Sequence, residues 1–405
     1  MPTNSSAHAM TPIYWMALGT FAIGTEGFMI APLLPRLAGD LSVSVAAAGQ
    51  LVSVFALTYA LSSPILTALT GALNRRRLLV LSMIAFALAN GFAFVAKDYR
   101  ALMAARVLLA VAAGLYVPNA NALAGALVRP ERRGAALAIV SGGTTIAVAL
   151  GVPLGSIIGA KFGWRAMFAG VGILALIATL GLIAGLARDV GSKLPATGLR
   201  ERLGVIRQPA VLRTLLVTTL WATGAYTVYT YIASLLDATA GIEGPYLSAV
   251  LFVWGLSAAA GIFIGGTLTD KRGPEPVIAL ALIFLALAFA SLSISAALLT
   301  KAVAIGPVML AIVVWGLSAW AFFPAQQTRL IGVAGIRVAP IVLSLNASFM
   351  FLGFALGAAL GSVTLTYAAP SALGWVGGLC VLASLLLSIR TMRATGALPE
   401  AVLQQ

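Results

Sequence analysis

The chain has 405 residues, 61% hydrophobic and only 9% charged, with a mean hydropathy of +1.04 and a formal net charge of +14. A soluble domain carries roughly 25% charged residues, so the composition excludes a water-soluble globular protein and describes one built for lipid. A single histidine, His8, and a single cysteine, Cys380, exclude an intrachain disulfide framework and a Cys/His metal centre.

The N-terminus MPTNSSAHAM has no basic n-region, and the apolar run after it is too long for a signal-peptide core, so it reads as a retained first span. A spanning helix needs about 20 largely apolar residues. On that ruler twelve spans are expected, near 12–35, 46–70, 78–96, 101–125, 134–159, 164–187, 211–235, 246–268, 276–299, 304–327, 338–366 and 371–392.

Alternate loops between these spans hold 18 of the 25 Lys and Arg residues, the opposite loops hold 6, and Arg106 lies inside the fourth span. The basic excess marks cytoplasmic loops and places both termini in the cytoplasm. It also accounts for the +14 without a nucleic-acid partner. Low Lys against high Arg in an Ala-rich background suggests a bacterial inner membrane, with the bilayer as the surrounding partner.

The longest polar stretch, 188–209, divides the chain into an N-terminal set of six spans (1–187) and a C-terminal set (210–405). The sets look alike. GVPLGSIIG carries Gly151, Gly155 and Gly159, and GFALGAALG carries Gly353, Gly357 and Gly361, an offset of 202. GLYVPNAN and AWAFFPAQQ align Pro118 with Pro324, an offset of 206. Chance likeness between Ala/Gly/Leu-rich helices is the alternative. The matched offsets favour an all-α membrane protein of 12 transmembrane helices in two pseudo-symmetric six-helix bundles, with a solute path between the halves.

These residues resemble the major facilitator superfamily, in particular its bacterial drug:proton antiporter branch and the neighbouring sugar- and arabinose-efflux permeases. The family's loop motif Gly-x-x-x-Asp-x-x-Gly is matched in the second half by Gly266, Asp270 and Gly273. The first half keeps Arg75, Arg76 and Arg77 but has Thr67, Gly71 and Asn74 at the motif's own positions. RVLLAVAAG, led by Arg106, is similar to the fourth-span motif. GVPLG, with Gly151, Pro153 and Gly155, resembles the fifth-span antiporter motif. GWRAMF resembles the turn that follows, and AFFPAQQTRL and LNASFMFLGFALGAALG look most like the sugar-efflux neighbours. The resemblance implies alternating access, a small-molecule substrate, proton exchange, no cofactor and a monomer, the family's default.

Of the 11 acidic residues only Glu26 lies well inside an expected span. A charge at the bilayer centre costs roughly 2.5–3.5 kcal/mol on insertion scales, so an ionisable residue there suggests function. Burial and a nearby cation act oppositely on a carboxyl's proton affinity, and a Glu exposed in turn to two environments can load and release a proton. At about 1.5 Å per residue, Glu26 is ~15 Å below Arg36 and Arg106 ~9 Å below Arg100, within reach of one another if the helices face, as the resembled fold implies. The plainer reading has Arg106 snorkelling outward and Glu26 bonding a neighbouring helix.

Softer candidates for solute contact are the amides beside the two prolines, Asn119 and Asn121, then Gln326 and Gln327. Others are Tyr226 and Tyr229, which continue a stripe from Thr219 and Ala222 at helical spacing, together with Tyr59 and Asn346. Each could equally serve helix packing. The glycine repeats read as close-packing surfaces, with a gating role open to Gly151, Pro153 and Gly155. Asp270, with Lys271 and Arg272, reads as a conformational latch.

No G-x-x-x-x-G-K-[ST] phosphate loop occurs, and the G-x-G-x-x-[GA] match in GVGILA lies inside an apolar span. With its one His outside the spans, the chain has no H-E-x-x-H site and no Ser/His/Asp triad in the membrane, so an enzyme is not expected. The expected function is proton-coupled export of a drug, sugar or nucleobase-like solute. A proton-independent facilitator and a proton-coupled uptake symporter are the rivals. Glu26 separates the first rival, which has no use for a buried titratable group.

Overall fold

A computed structural model of the chain describes residues 5–71, 73–129, 132–187 and 198–395. The described residues fold into helices without strands. In chain order these are α1 (Ser5–Met29), α2 (Leu34–Asp40), α3 (Val45–Leu69), α4 (Arg75–Val95), α5 (Tyr99–Leu127), α6 (Arg133–Ile146), α7 (Val152–Phe162) and α8 (Trp164–Gly185). They continue with α9 (Leu199–Ile206), α10 (Pro209–Tyr229), α11 (Ile232–Ala240), α12 (Gly244–Arg272), α13 (Pro274–Leu298), α14 (Lys301–Ala334), α15 (Ala339–Tyr367) and α16 (Ala372–Thr395).

Helix starts follow local chemistry. Ser44, Asn74 and Asp98 cap α3, α4 and α5, each side chain accepting the backbone N–H three residues on. Gly273, at φ +80°, lets the chain leave α12 and enter α13 at Pro274 through a conformation that a Cβ would disfavour.

Among the described residues, eleven helical segments are long and apolar enough to cross a membrane. The expected span at 211–235 is not among them. It is interrupted, because α10 ends at Tyr229 and α11 starts at Ile232. Arg213 and five threonines also lower the hydropathy of α10. The first span starts at Thr11, close to the expected 12, and the helix that carries it extends back to Ser5, so His8 falls on that helix. The fifth is divided by a widened π-type turn at Ala147–Gly151. Of the expected linker, 188–197 lies outside the described residues and α9 forms within the remainder, as residues 130–131 of the basic loop also lie outside.

Two compact units divide the chain, one holding residues 1–199 with 243–255 and the other 200–242 with 256–405. Within the first, α1 packs on α6 and α8, and α4 on α5 and α8. Within the second, α10 packs on α15 and α16, and α13 on α14 and α16. The same neighbour pattern therefore occurs in each unit.

Close packing follows the glycines. A Cβ on Gly357 would come within 2.9 Å of both the Tyr226 Cβ and the Thr227 nitrogen, and one on Gly353 within 2.5 Å of the Ala222 Cβ. The stripe Thr219–Ala222–Tyr226, expected on a cavity wall, is thus the surface on which α15 lies. Gly155 and Gly159 take up Met167 and Leu33 within their own unit.

Candidate functional site

Glu26 and Arg106 are both fully buried in the first unit. α1 brings the carboxylate and α5 the guanidinium, whose NH1 donates to Glu26 Oε1 in an ion pair. Arg106 also has two further supports on α3. Its Nε donates to the Leu51 carbonyl at 3.0 Å, and its Cζ lies 4.2 Å from the centroid of the Phe55 ring, one helical turn on. Glu26 Oε2 has no partner among the described residues. The cation is fixed from three directions and the carboxylate from one. A proton arriving on Glu26 discharges the pair while Arg106 keeps its carbonyl and its ring.

The widened turn Ala147–Gly151 bears on α1 next to this pair. A Cβ on Gly24 would come within 2.9 Å of the Ala147 Cβ, and one on Gly151 would collide with the side chain of Thr25. The motif residue Gly151 therefore sits where α1 is approached one residue before Glu26, and Pro153 is buried two residues on, in α7. Such π-type turns within helices are frequent at functional sites.

Other expected residues are held by hydrogen bonds within and between helices. Arg75 NH1 donates to Asn119 Oδ1 at 2.7 Å, and Asn119 Nδ2 to the Leu115 carbonyl at 2.6 Å. Arg76 donates to the Ile183 carbonyl at 2.9 Å. Asn121, half-buried, donates to Val117 O and accepts from Ser141 at a long 3.4 Å. Tyr59 is buried.

In the second unit Tyr226 stacks on Phe354 at 3.6 Å between centroids, and Tyr229 meets Trp315 edge-on at 6.3 Å. Thr218 donates to Asn346 Oδ1 at 2.7 Å. Gln326 Nε2 donates to the Thr214 carbonyl at 2.7 Å and to Thr218 at 3.0 Å. Gln327 is half-buried, Asp270 is exposed, and Gly266 faces open space. Thr214, Thr218, Trp221 and Phe322 were not singled out from sequence; the helical spacing of the first three, i, i+4 and i+7 on α10, was the available signal, and Phe322 on α14 had none.

The sequence pattern of the Major Facilitator Superfamily matches residues 16–358. The chain belongs to this superfamily. It is 33% identical over 377 residues to the uncharacterized MFS-type transporter YbcL of Bacillus subtilis, covering 93% of this chain and 94% of that protein. It is 34% identical over 272 residues to a chloramphenicol resistance protein of Streptomyces lividans, covering 67% and 69%. The fold is similar to the crystal structure of a bacterial homolog of the human lysosomal transporter Spinster, with a TM-score of 0.72 at 17% identity, covering 96% of each chain.

As a member of the superfamily the chain is a multi-pass membrane transporter for small molecules and not an enzyme. Among its described residues no group of His, Cys, Asp and Glu could hold a metal ion. What the described residues hold instead is a fully buried carboxylate paired with a fully buried guanidinium, and several buried amides.

Proposed function

We propose that the chain is a proton-coupled exporter in which protonation of Glu26 is linked to outward movement of a small solute by alternating access. The observation that carries this reading is the buried Glu26–Arg106 pair with its lopsided support. A transporter indifferent to protons has no reason to bury an acid whose removal from water costs several kcal/mol. Arg106 tunes the acid and stays in place when the acid is neutralised. The resistance function in the name of the Streptomyces relative supports export over uptake, and drugs, sugars and nucleobase-like compounds are the candidate solutes.

On this reading the transporter has twelve membrane helices, with α10 as the one too polar to stand out. Its two six-helix bundles, 1–187 and 210–405, are joined by a linker at 188–209. It is a monomer in the cytoplasmic membrane with both termini inside. The repeated neighbour pattern of the two units supports this plan. One proton crossing 100 mV supplies about 2.3 kcal/mol, enough for a gradient of order 40-fold at 1.4 kcal/mol per tenfold. A single titrating carboxylate therefore suffices.

The test is solute-triggered proton movement. Wild-type protein in liposomes under an imposed pH gradient is offered a panel of drugs, sugars and nucleobases, and internal pH is followed with a trapped dye. A solute-dependent proton flux supports the proposal. Solute equilibration without proton flux makes the chain a facilitator, and cotransport in the same direction makes it a symporter.

A further inference from the structure

The α10–α14 seam of the second unit holds two buried polar atoms that no group among the described residues meets. They are the indole Nε1 of Trp221 and the amide Oε1 of Gln326. Trp221 is 7% exposed and Gln326 0%. Trp221 stacks on Phe322, with centroids 4.7 Å apart and planes 19° from parallel, and Phe322 lies one turn before Gln326 on α14. Thr214 and Thr218, which hold Gln326, lie two turns and one turn before Trp221 on α10. The two unmet atoms thus share one seam.

Rearrangement within the seam cannot satisfy them. The Gln326 atom 2.7 Å from the Thr214 carbonyl must be nitrogen, because a carbonyl only accepts. Its two hydrogens go to Thr214 and Thr218, so the amide cannot flip. The Thr218 hydrogen goes to Asn346 Oδ1 at 2.7 Å and cannot turn to Gln326. An indole N–H donates only. A buried donor or acceptor left unmade costs about 1–3 kcal/mol, and the hydrocarbon around a spanning helix offers no relief.

We propose that Trp221 Nε1 and Gln326 Oε1 are the polar anchors of a binding site for an uncharged aryl amide or aryl alcohol. The solute's acceptor takes the indole N–H, its own N–H or O–H donates to the amide oxygen, and its ring takes a place in the Trp221–Phe322 stack. Both anchors are closed off in the structure, so entry parts that stack.

Charge excludes the alternatives. α10, α14 and α15 carry no acidic residue to balance a cation. Of the arginines nearest in sequence, Arg213 is exposed. Arg329, three residues beyond Gln326, is spent on the Ser388 hydroxyl at 2.7 Å and carbonyl at 3.2 Å. A charged solute would be stripped of water here with no partner.

This inference rests on the chain being a solute transporter and is independent of proton coupling. It is therefore tested by binding at one pH with no gradient, using full-length protein in lipid nanodiscs. The probes are chloramphenicol, an uncharged aryl alcohol bearing an amide, and the cation tetraphenylphosphonium as a contrast. Trp221→Phe keeps the ring stack and removes the N–H. The expected result is saturable chloramphenicol binding by the wild type, weakened about tenfold or more in Trp221→Phe and in Gln326→Met, with tetraphenylphosphonium binding unchanged by either.

Equal chloramphenicol affinity in wild type and Trp221→Phe, or no saturable binding by the wild type, overturns the site. The assay imposes no proton gradient and reads binding alone, so a failure of proton coupling leaves this result standing and the reverse also holds.

Discussion

Arg75 at the start of α4 gives its guanidinium to the amide oxygen of Asn119 on α5, at 2.7 Å, with Arg75 5% exposed and Asn119 1% exposed. The first half has Gly71 where the resembled motif carries an acid, and here a neutral amide receives the arginine. A hydrogen bond to a charged group contributes about 1.5–3 kcal/mol. Asn119→Ala should destabilise the protein by that order in thermal melts in detergent. Asn121→Ala, which loses a long bond at a half-buried position, should change it by under about 0.5 kcal/mol.

Arg106 makes its contacts to α1 and α3 at once, so its removal should be felt in folding as well as in transport. Breaking one side of a buried ion pair costs about 3–5 kcal/mol, whereas replacing both sides with apolar or neutral groups of similar volume is often close to neutral. Arg106→Met should therefore melt well below Glu26→Gln/Arg106→Met. A double-mutant cycle on melting temperature measures the difference, and additive effects would mean that the pair is not coupled.

The α10–α15 seam depends on glycine at close approach. A Cβ on Gly357 has the backbone of α10 in its way as well as the Cβ of Tyr226, and overpacking of this kind costs typically 1–3 kcal/mol. Gly357→Ala should lower the melting temperature and the yield. Gly266→Ala, with nothing within 4 Å of the added carbon, should not.

Ser156 on α7 and Ser248 on α12 share a hydrogen bond of 2.8 Å, both hydroxyls buried within the first unit. In a Cys380→Ser background, Ser156→Cys/Ser248→Cys should form a disulfide under mild oxidation, detected as two fragments held together until reduction after proteolysis between α7 and α12.

Much of this was legible in the sequence, for identifiable reasons. Apolar runs of membrane length announce themselves, and an acid inside such a run stands out; its pairing with Arg106 was allowed by depth but needed the resembled fold to bring the two helices face to face. α10 was harder. Thr214, Thr223 and Thr227 hide their hydroxyls by donating to carbonyls four residues back, at 2.8 Å each, so a helix that scores as polar presents few free polar groups. The seam bonds of Gln326 with Thr214 and of Asn346 with Thr218 join residues more than a hundred positions apart. They depend on which faces of α10, α14 and α15 meet, which periodicity alone does not specify. The Tyr226 stripe was visible as a stripe, but not that α15 would cover it.

The central claim is that Glu26 carries the proton. Its most direct test is to compare wild type and Glu26→Gln in liposomes, measuring solute exchange with equal solute on both sides and proton-driven accumulation in the same preparation. The account predicts that Glu26→Gln retains exchange and loses both accumulation and solute-triggered proton flux. Accumulation and proton flux equal to wild type in Glu26→Gln would contradict it and leave Glu26 a structural partner of Arg106.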